Sequence, residues 1–170
     1  NEANYVERVC EARRWSEQLH AAEAEELKEA ARTKHVRSDD DIHIAVNLWC
    51  TDRRAAERKY GHISQWDTSA VTNMSELFKE QRSFNDDISQ WNVSNVTNMY
   101  AMFWGASSFN QPLGDWNVHD VTNMQRMFRD AFVFNQPLEQ WNVANVTNMW
   151  AMFAAASVFN QPLEQWNVGN

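Results

Sequence analysis

Apolar positions along the last two thirds of the chain recur on a fixed beat. Trp66, Trp91, Trp116, Trp141 and Trp166 lie 25 residues apart, and Val-Thr-Asn-Met stands at 71–74, 96–99, 121–124 and 146–149. Self-similarity at a period of roughly 20–50 residues marks stacked repeat architectures. Written from Leu138 to Pro162, the unit has an apolar skeleton of Leu138, Trp141, Val143, Val146, Met149, Met152, Phe153, Ala156 and Phe159. Trp-x-Val alternates with period two, as a strand does, whereas Met149, Met152, Phe153 and Ala156 have the spacing of a short helix. Asn160-Gln-Pro162 ends the unit, because proline disfavours helix in the residue before it and such clusters favour turns. The pattern predicts coils of strand, bend, helical turn and bend. Each coil must present the same stacking surface to its neighbours, which is why Val-Thr-Asn-Met is copied. Asn73, Asn98, Asn123 and Asn148 are then placed to form a ladder whose side-chain amides satisfy the backbone at a bend.

The pattern upstream is helical. From Glu2 to about Lys34, Ala, Glu, Arg, Lys and Leu dominate without Gly or Pro, and Tyr5, Val9, Ala12, Trp15 and Leu19 fall on one flank. Ser38-Asp-Asp-Asp41 supplies N-cap candidates for a second stripe through Ile42, Val46, Trp49, Ala56 and Tyr60, closed by Gly61. Residues 1–61 are therefore expected to form a helical N-terminal cap or anchor, and 62–170 a solenoid of four 25-residue repeats plus a terminal half-repeat. A solenoid needs a terminal unit with one polar side. Leu163 to Asn170 begins a fifth copy that stops before its Val-Thr-Asn-Met. A half-coil leaves an apolar edge, so a partner or further sequence is expected to cover it.

Charge narrows the function. The net charge is −8, and from Ile63 onward 10 acidic residues face 4 basic ones. Nucleic-acid affinity rests on Lys and Arg neutralising phosphates, so neither duplex nucleic acid nor an anionic membrane is an expected partner. No apolar run approaches the ~20 residues of a membrane span, so direct membrane insertion is not expected, and the N-terminal Asn-Glu-Ala-Asn-Tyr lacks a secretion signal's pattern. Cys10 and Cys50 sit on apolar helical stripes and read as buried free thiols, with one disulfide between helices as the alternative.

Reactive chemistry is sparse. His20, His35, His43, His62 and His119 have no metal-binding spacing, and glycines only at 61, 105, 114 and 169 rule out nucleotide-binding loops and nucleophile elbows. Asp115, Glu139 and Glu164 recur at nearly equivalent positions, but the set varies between copies, so no calcium site is expected. No metal, cofactor or enzymatic activity is expected. Asn73, Asn92, Asn95 and Asn145 begin N-x-S/T sequons, which an Asn-bearing repeat generates by itself whenever Ser or Thr follows.

The skeleton L-x-x-W-x-V-x-x-V-x-x-M-x-x-M-F-x-x-A-x-x-F-N-x-P resembles the repeats of BspA-type leucine-rich-repeat surface proteins, in the branch with WNVSNVTNM-like units. The likeness covers about 63–170, with a similar lead-in through Ala45-Val46, Trp49, Asp52, Ala55-Ala56, Tyr60-Gly61 and Ile63. The first copy departs from it with Thr68 for Val, Gln81 for Ala and Asp86-Asp87 for Gln-Pro. Residues 1–40 lie outside it. The resemblance implies an α/β repeat solenoid of leucine-rich-repeat-like right-handed coils, each a short strand plus a short helical turn, behind an α-helical N-terminal cap. It implies surface display, adhesion or protein binding at the cell surface or after secretion, and no catalytic residues.

The expected function is a non-catalytic protein-binding module. The alternative is a structural or assembly subunit of a larger intracellular or organellar complex, anchored by the helix at 2–34. A protein partner is expected, with a glycan as the other possibility. Candidate contact residues come from positions where copies disagree, because stacked positions must match and outward ones need not. These positions hold Ser75, Tyr100, Gln125 and Trp150, and four residues later Lys79, Trp104, Arg129 and Ala154. Tyr100 and Trp104, spaced i,i+4, share a face of a helical turn. With Trp150 and Arg129 they are expected to form the docking patch, since exposed aromatics and Arg are enriched in binding hot spots.

Overall fold

The computed structural model describes residues 2–33 and 35–168, and within the first stretch the side chains of 11, 13–26 and 28. The chain divides into two units, Asn1–Lys34 and His35–Asn170. The first holds helix α1, Glu2–Thr33, on which Trp15 and Leu19 are exposed. Tyr5, Val9 and Ala12 of the expected stripe have side chains outside the described residues, and so does Cys10.

The second unit begins with strand β1 (Val36–Ser38), followed by helices α2 (Ile42–Thr51) and α3 (Arg53–Tyr60), a 3-10 turn at Ile63–Gln65 and strand β2 (Asp67–Ala70). The division at 34 rather than 61 follows from pairing, because β1 lies parallel to β2, with Val36 opposite Asp67 and Ser38 opposite Ala70. Residues 42–61, expected as one stripe, break at Asp52. Its carboxylate accepts from the Ala55 N–H and so caps α3. Gly61 closes that helix at φ 76, a conformation glycine adopts without a Cβ penalty. Asp41 occupies the N-cap position of α2 without a capping side-chain bond; its carboxylate accepts instead from Arg37 at 2.7 Å and from the Ser38 N–H at 3.0 Å.

From Ile63 the copies lie side by side, one period apart. Phe78, Phe103, Phe128 and Phe153 form a column with successive ring centres 5.4, 5.5 and 5.7 Å apart. A second column through Phe84, Phe109, Phe134 and Phe159 interleaves with it at 4.0–4.2 Å. The tryptophans stitch each copy to the one before. The indole N–H groups of Trp91, Trp116, Trp141 and Trp166 donate to the carbonyls of Ile63, Ile88, Leu113 and Leu138. A buried indole needs such an acceptor, and the repeat supplies it at a constant offset.

The segment after Val-Thr-Asn-Met departs from the expected helical turn. Leu77, Lys79 and Gln81 donate their N–H groups back to Met74, Glu76 and Phe78, while Met74, Glu76, Phe78 and Glu80 donate forward to Asn98, Tyr100, Met102 and Trp104 of the next copy. Every fourth residue takes a left-handed conformation: Glu76 and Glu80, Ala101 and Gly105, Arg126 and Asp130, Ala151 and Ala155. An α-helix would turn every N–H inward along its own axis. Tight turns aim alternate amides at the neighbouring copy and keep the Met and Phe spacing. The Trp-x-Val stretch, expected as a strand, forms none in the described residues of 88–168. Isolated parallel bridges fall instead at Asn73, Asn98, Asn123 and Asn148.

Those four asparagines do form a ladder, and each side-chain oxygen accepts from the N–H two residues on, in Ser75, Tyr100, Gln125 and Trp150. A second ladder runs through Asn85, Asn110 and Asn135, whose side-chain oxygens accept from the N–H of Asn110, Asn135 and Asn160. At the first copy Asp39 replaces a preceding repeat: its carboxylate accepts from the N–H groups of Thr72 and Asn73 and from the Thr72 hydroxyl, at 2.8, 3.0 and 2.5 Å. In later copies that Thr N–H donates to the previous threonine's carbonyl. At the other end Trp166 of the half-repeat stacks on Trp141 at 6.3 Å, while Gly169 and Asn170 lie outside the described residues.

Candidate functional site

The turn segments project the side chains at which the copies differ. Tyr100 and Trp104 are half-buried, and Trp150 is 59% exposed. The four candidates do not meet as a simple aromatic row. Trp104 donates its indole N–H to an Asp130 carboxylate oxygen at 2.9 Å, and Arg129 Nε donates to the same oxygen at 3.4 Å. Arg129 and Lys79 each lie against the Trp104 ring, at 5.2 and 4.8 Å from its centre.

Arg126, which the spacing argument passed over, connects the patch. Its guanidinium sits 4.6 Å from the Trp150 ring centre and 5.4 Å from that of Trp104, and its Nη1 donates to the Tyr100 hydroxyl at 3.3 Å. The equivalent residues of the flanking copies are Ala101 and Ala151, whose small side chains leave room for it to reach across both. Position 126 disagrees among copies as Glu76, Ala101, Arg126 and Ala151, so the criterion that selected its neighbours would also have selected it. The result is one guanidinium between two indoles from different copies, an arrangement favoured by the negative faces of the rings.

A related cluster lies at α2 and α3, where Arg53 sits 4.7 Å from the Trp49 ring centre and both Arg53 and the Trp49 indole N–H donate to Asp86, and Arg37 lies 4.5 Å from the Tyr60 ring centre. Among the described residues no group of three or more His, Cys, Asp or Glu side chains is placed to hold a metal ion. Cys50 is a free thiol beside a cleft lined by Trp49, Arg53 and Asp86, and burial pushes it up to about 11, so it is un-ionised and a weak nucleophile at neutral pH. The sequon asparagines are engaged by the fold. Asn73 and Asn92 accept from the N–H groups of Ser75 and Ser94, while Asn95 and Asn145 donate their side-chain amides to the Ser69 and His119 carbonyls.

A family model matches residues 51–166, from the end of α2 through Trp166. The chain belongs to the family described as "Mycoplasma protein of unknown function, DUF285". It is a BspA-like surface repeat family, so the likeness read from the tryptophan and Val-Thr-Asn-Met periods stands at the level of the family. Neither a curated protein nor a solved structure matches the chain. The matched span contains the whole aromatic and cationic patch, whereas α1, β1 and nearly all of α2 precede it.

Proposed function

We propose that the chain is a non-catalytic protein-binding module of adhesion type. In this reading it belongs to the 25-residue branch of the leucine-rich-repeat-like solenoids, displayed at a cell surface or secreted. The observation that carries the reading is the patch of Tyr100, Trp104, Arg126, Arg129 and Trp150. Within the repeats the large apolar side chains are otherwise mostly buried in stacking columns, yet here Trp150 stands 59% exposed beside a guanidinium. Side chains that stack are fixed by the repeat; these vary from copy to copy and face outward, which is what recognition of one partner requires. A rigid stack holds them with little ordering left to do on binding, which favours affinity.

The test is a Trp104→Ala, Trp150→Ala double variant, immobilised beside the parent chain and exposed to extracts of its native source. The expected outcome is a protein retained by the parent and lost from a variant whose circular dichroism and melting temperature are close to the parent's. Equal retention by the folded variant would remove the patch from the binding function.

A further inference from the structure

The docking reading leaves open what kind of partner the patch accepts, and the distribution of charge answers it. Lys79, Arg82, Arg126 and Arg129 are all the Lys and Arg residues from Ile63 onward, and every one lies in the turn segments that carry the patch. Three of the ten acidic residues of this region share that face: Glu76, Glu80 and Asp130. The other seven are elsewhere, and among the described residues the one Lys or Arg that pairs with any of them is Arg53, with Asp86. Three of the four cations already hold a carboxylate: Lys79 pairs with Glu76 at 2.6 Å, Arg82 with Glu80 at 3.2 Å and Arg129 with Asp130 at 3.4 Å.

Arg126 has no carboxylate partner among the described residues. The one hydrogen bond of its guanidinium there goes to the neutral Tyr100 hydroxyl, and its buried Nε has no partner. A guanidinium presents five donors in a planar fork that matches a carboxylate, so most of this one's capacity is unused. Resting on the docking reading, we propose that Arg126 anchors the patch by binding a carboxylate on an acidic peptide segment of the protein partner, with Trp104 and Trp150 receiving the apolar side chains beside it.

The occupant follows from the balance of charges. The face carries four cations against three carboxylates, enough to favour a single monovalent anion. A phosphate dianion or a nucleic-acid backbone would meet Glu76, Glu80 and Asp130 with only one unpaired cation to compensate. The two indoles beside the guanidinium offer contact area to aliphatic or aromatic residues next to the acid.

The experiment pans a random twelve-residue phage peptide library on the whole chain. Individual synthetic peptides are then measured by fluorescence anisotropy against the parent, Arg126→Gln, Trp104→Ala and Trp150→Ala. Retained peptides are expected to share an Asp or Glu beside an apolar residue. Replacing that acid by its amide, or Arg126 by Gln, should each weaken binding at least tenfold, and the two changes together should weaken it no further. The peptide-side change is read on the unaltered protein, so the result holds even if Arg126→Gln loosens the fold. Peptides that need Trp104 and Trp150 but neither Arg126 nor an acid would overturn the carboxylate inference and leave the docking reading standing. An empty selection, or peptides indifferent to all three residues, would overturn both. Binding of 3′-sialyllactose at Arg126 in place of any peptide would show that the carboxylate belongs to a sugar, and would overturn the peptide assignment.

Discussion

Ala155 has φ 58, in the left-handed region, where an L-residue other than glycine is disfavoured by roughly 1–2 kcal/mol. The conformation is forced by its neighbours, since a residue at this point of every turn must redirect the next amides, and Glu80, Gly105 and Asp130 hold the same position in other copies. Gly105 shows that the stack accepts glycine there. Ala155→Gly is therefore expected to stabilise the chain by about 0.5–1 kcal/mol despite the entropy glycine adds to the unfolded state. Thermal denaturation decides it: an unchanged or lower melting temperature would mean that the strain is relieved in some other way. Arg126 is under the same constraint, at φ 57.

At the scale of an element, the first copy depends on a cap that hydrogen-bonds as a repeat would. Burial alone would raise the Asp39 carboxyl, but the bonds from the Thr72 hydroxyl and the backbone N–H groups of Asn73 and Thr72 outweigh it and hold it below the usual carboxylate range. A depressed folded value means that the contribution is present above the unfolded value of about 3.8 and is lost as pH falls through the folded one. Asp39→Asn should cost about 1 kcal/mol at pH 7, the difference between charged and neutral hydrogen bonds. That gap should narrow as the pH is taken below 3.8, and urea midpoints at pH 7 and pH 3 measure it; a gap independent of pH would show that Asp39 acts through packing instead. This cap was only half legible in the sequence. Ser38 to Asp41 reads as a helix start because capping rules are local, whereas the partner of Asp39 lies 33 residues away. The same limit explains the turns. Met149, Met152, Phe153 and Ala156 satisfy a helical spacing and a run of tight turns equally well, and what separates them is where alternate amides find acceptors, in a different copy. The Trp, Phe and Asn columns were legible because a period of 25 residues states directly which side chains are neighbours. The variation at Arg126 was legible but its contacts were not, because they depend on indoles 22 residues before it and 24 after it and on Asp130 being engaged by Trp104 and Arg129, none of which is a property of its own surroundings in the chain.

Across the unit from His35 to Asn170, stability is transmitted from copy to copy, since each copy buries its aromatic rings against those before and after it. In such arrays the free energy is close to a sum of copy and interface terms, so damage at one interface should divide the stack rather than unfold it uniformly. Phe128 is the place to test this. Its fully buried ring stacks on Phe103 at 5.5 Å, Phe153 at 5.7 Å and Phe134 at 4.1 Å, so it joins three copies. Phe128→Ala should cost about 3–5 kcal/mol. The loss is expected to be uneven, because the copies before it keep the Asp39 cap, the β1–β2 pairing and the Trp49–Trp66 contact at 6.0 Å. The fourth copy has less to hold it: the N–H groups of Met149, Ala151, Phe153 and Ala155, whose equivalents donate forward in earlier copies, donate to no backbone carbonyl among the described residues. Hydrogen exchange read by mass spectrometry should then show protection lost across 113–162 in the variant and retained across 67–105. Trp150 and Arg126 lie in the part that opens, so the same variant should release any partner held at the patch while the first two copies stay folded. Uniform loss of protection from 67 to 162 would show that the stack is one cooperative block, and that the proposed docking face shares its stability with the cap.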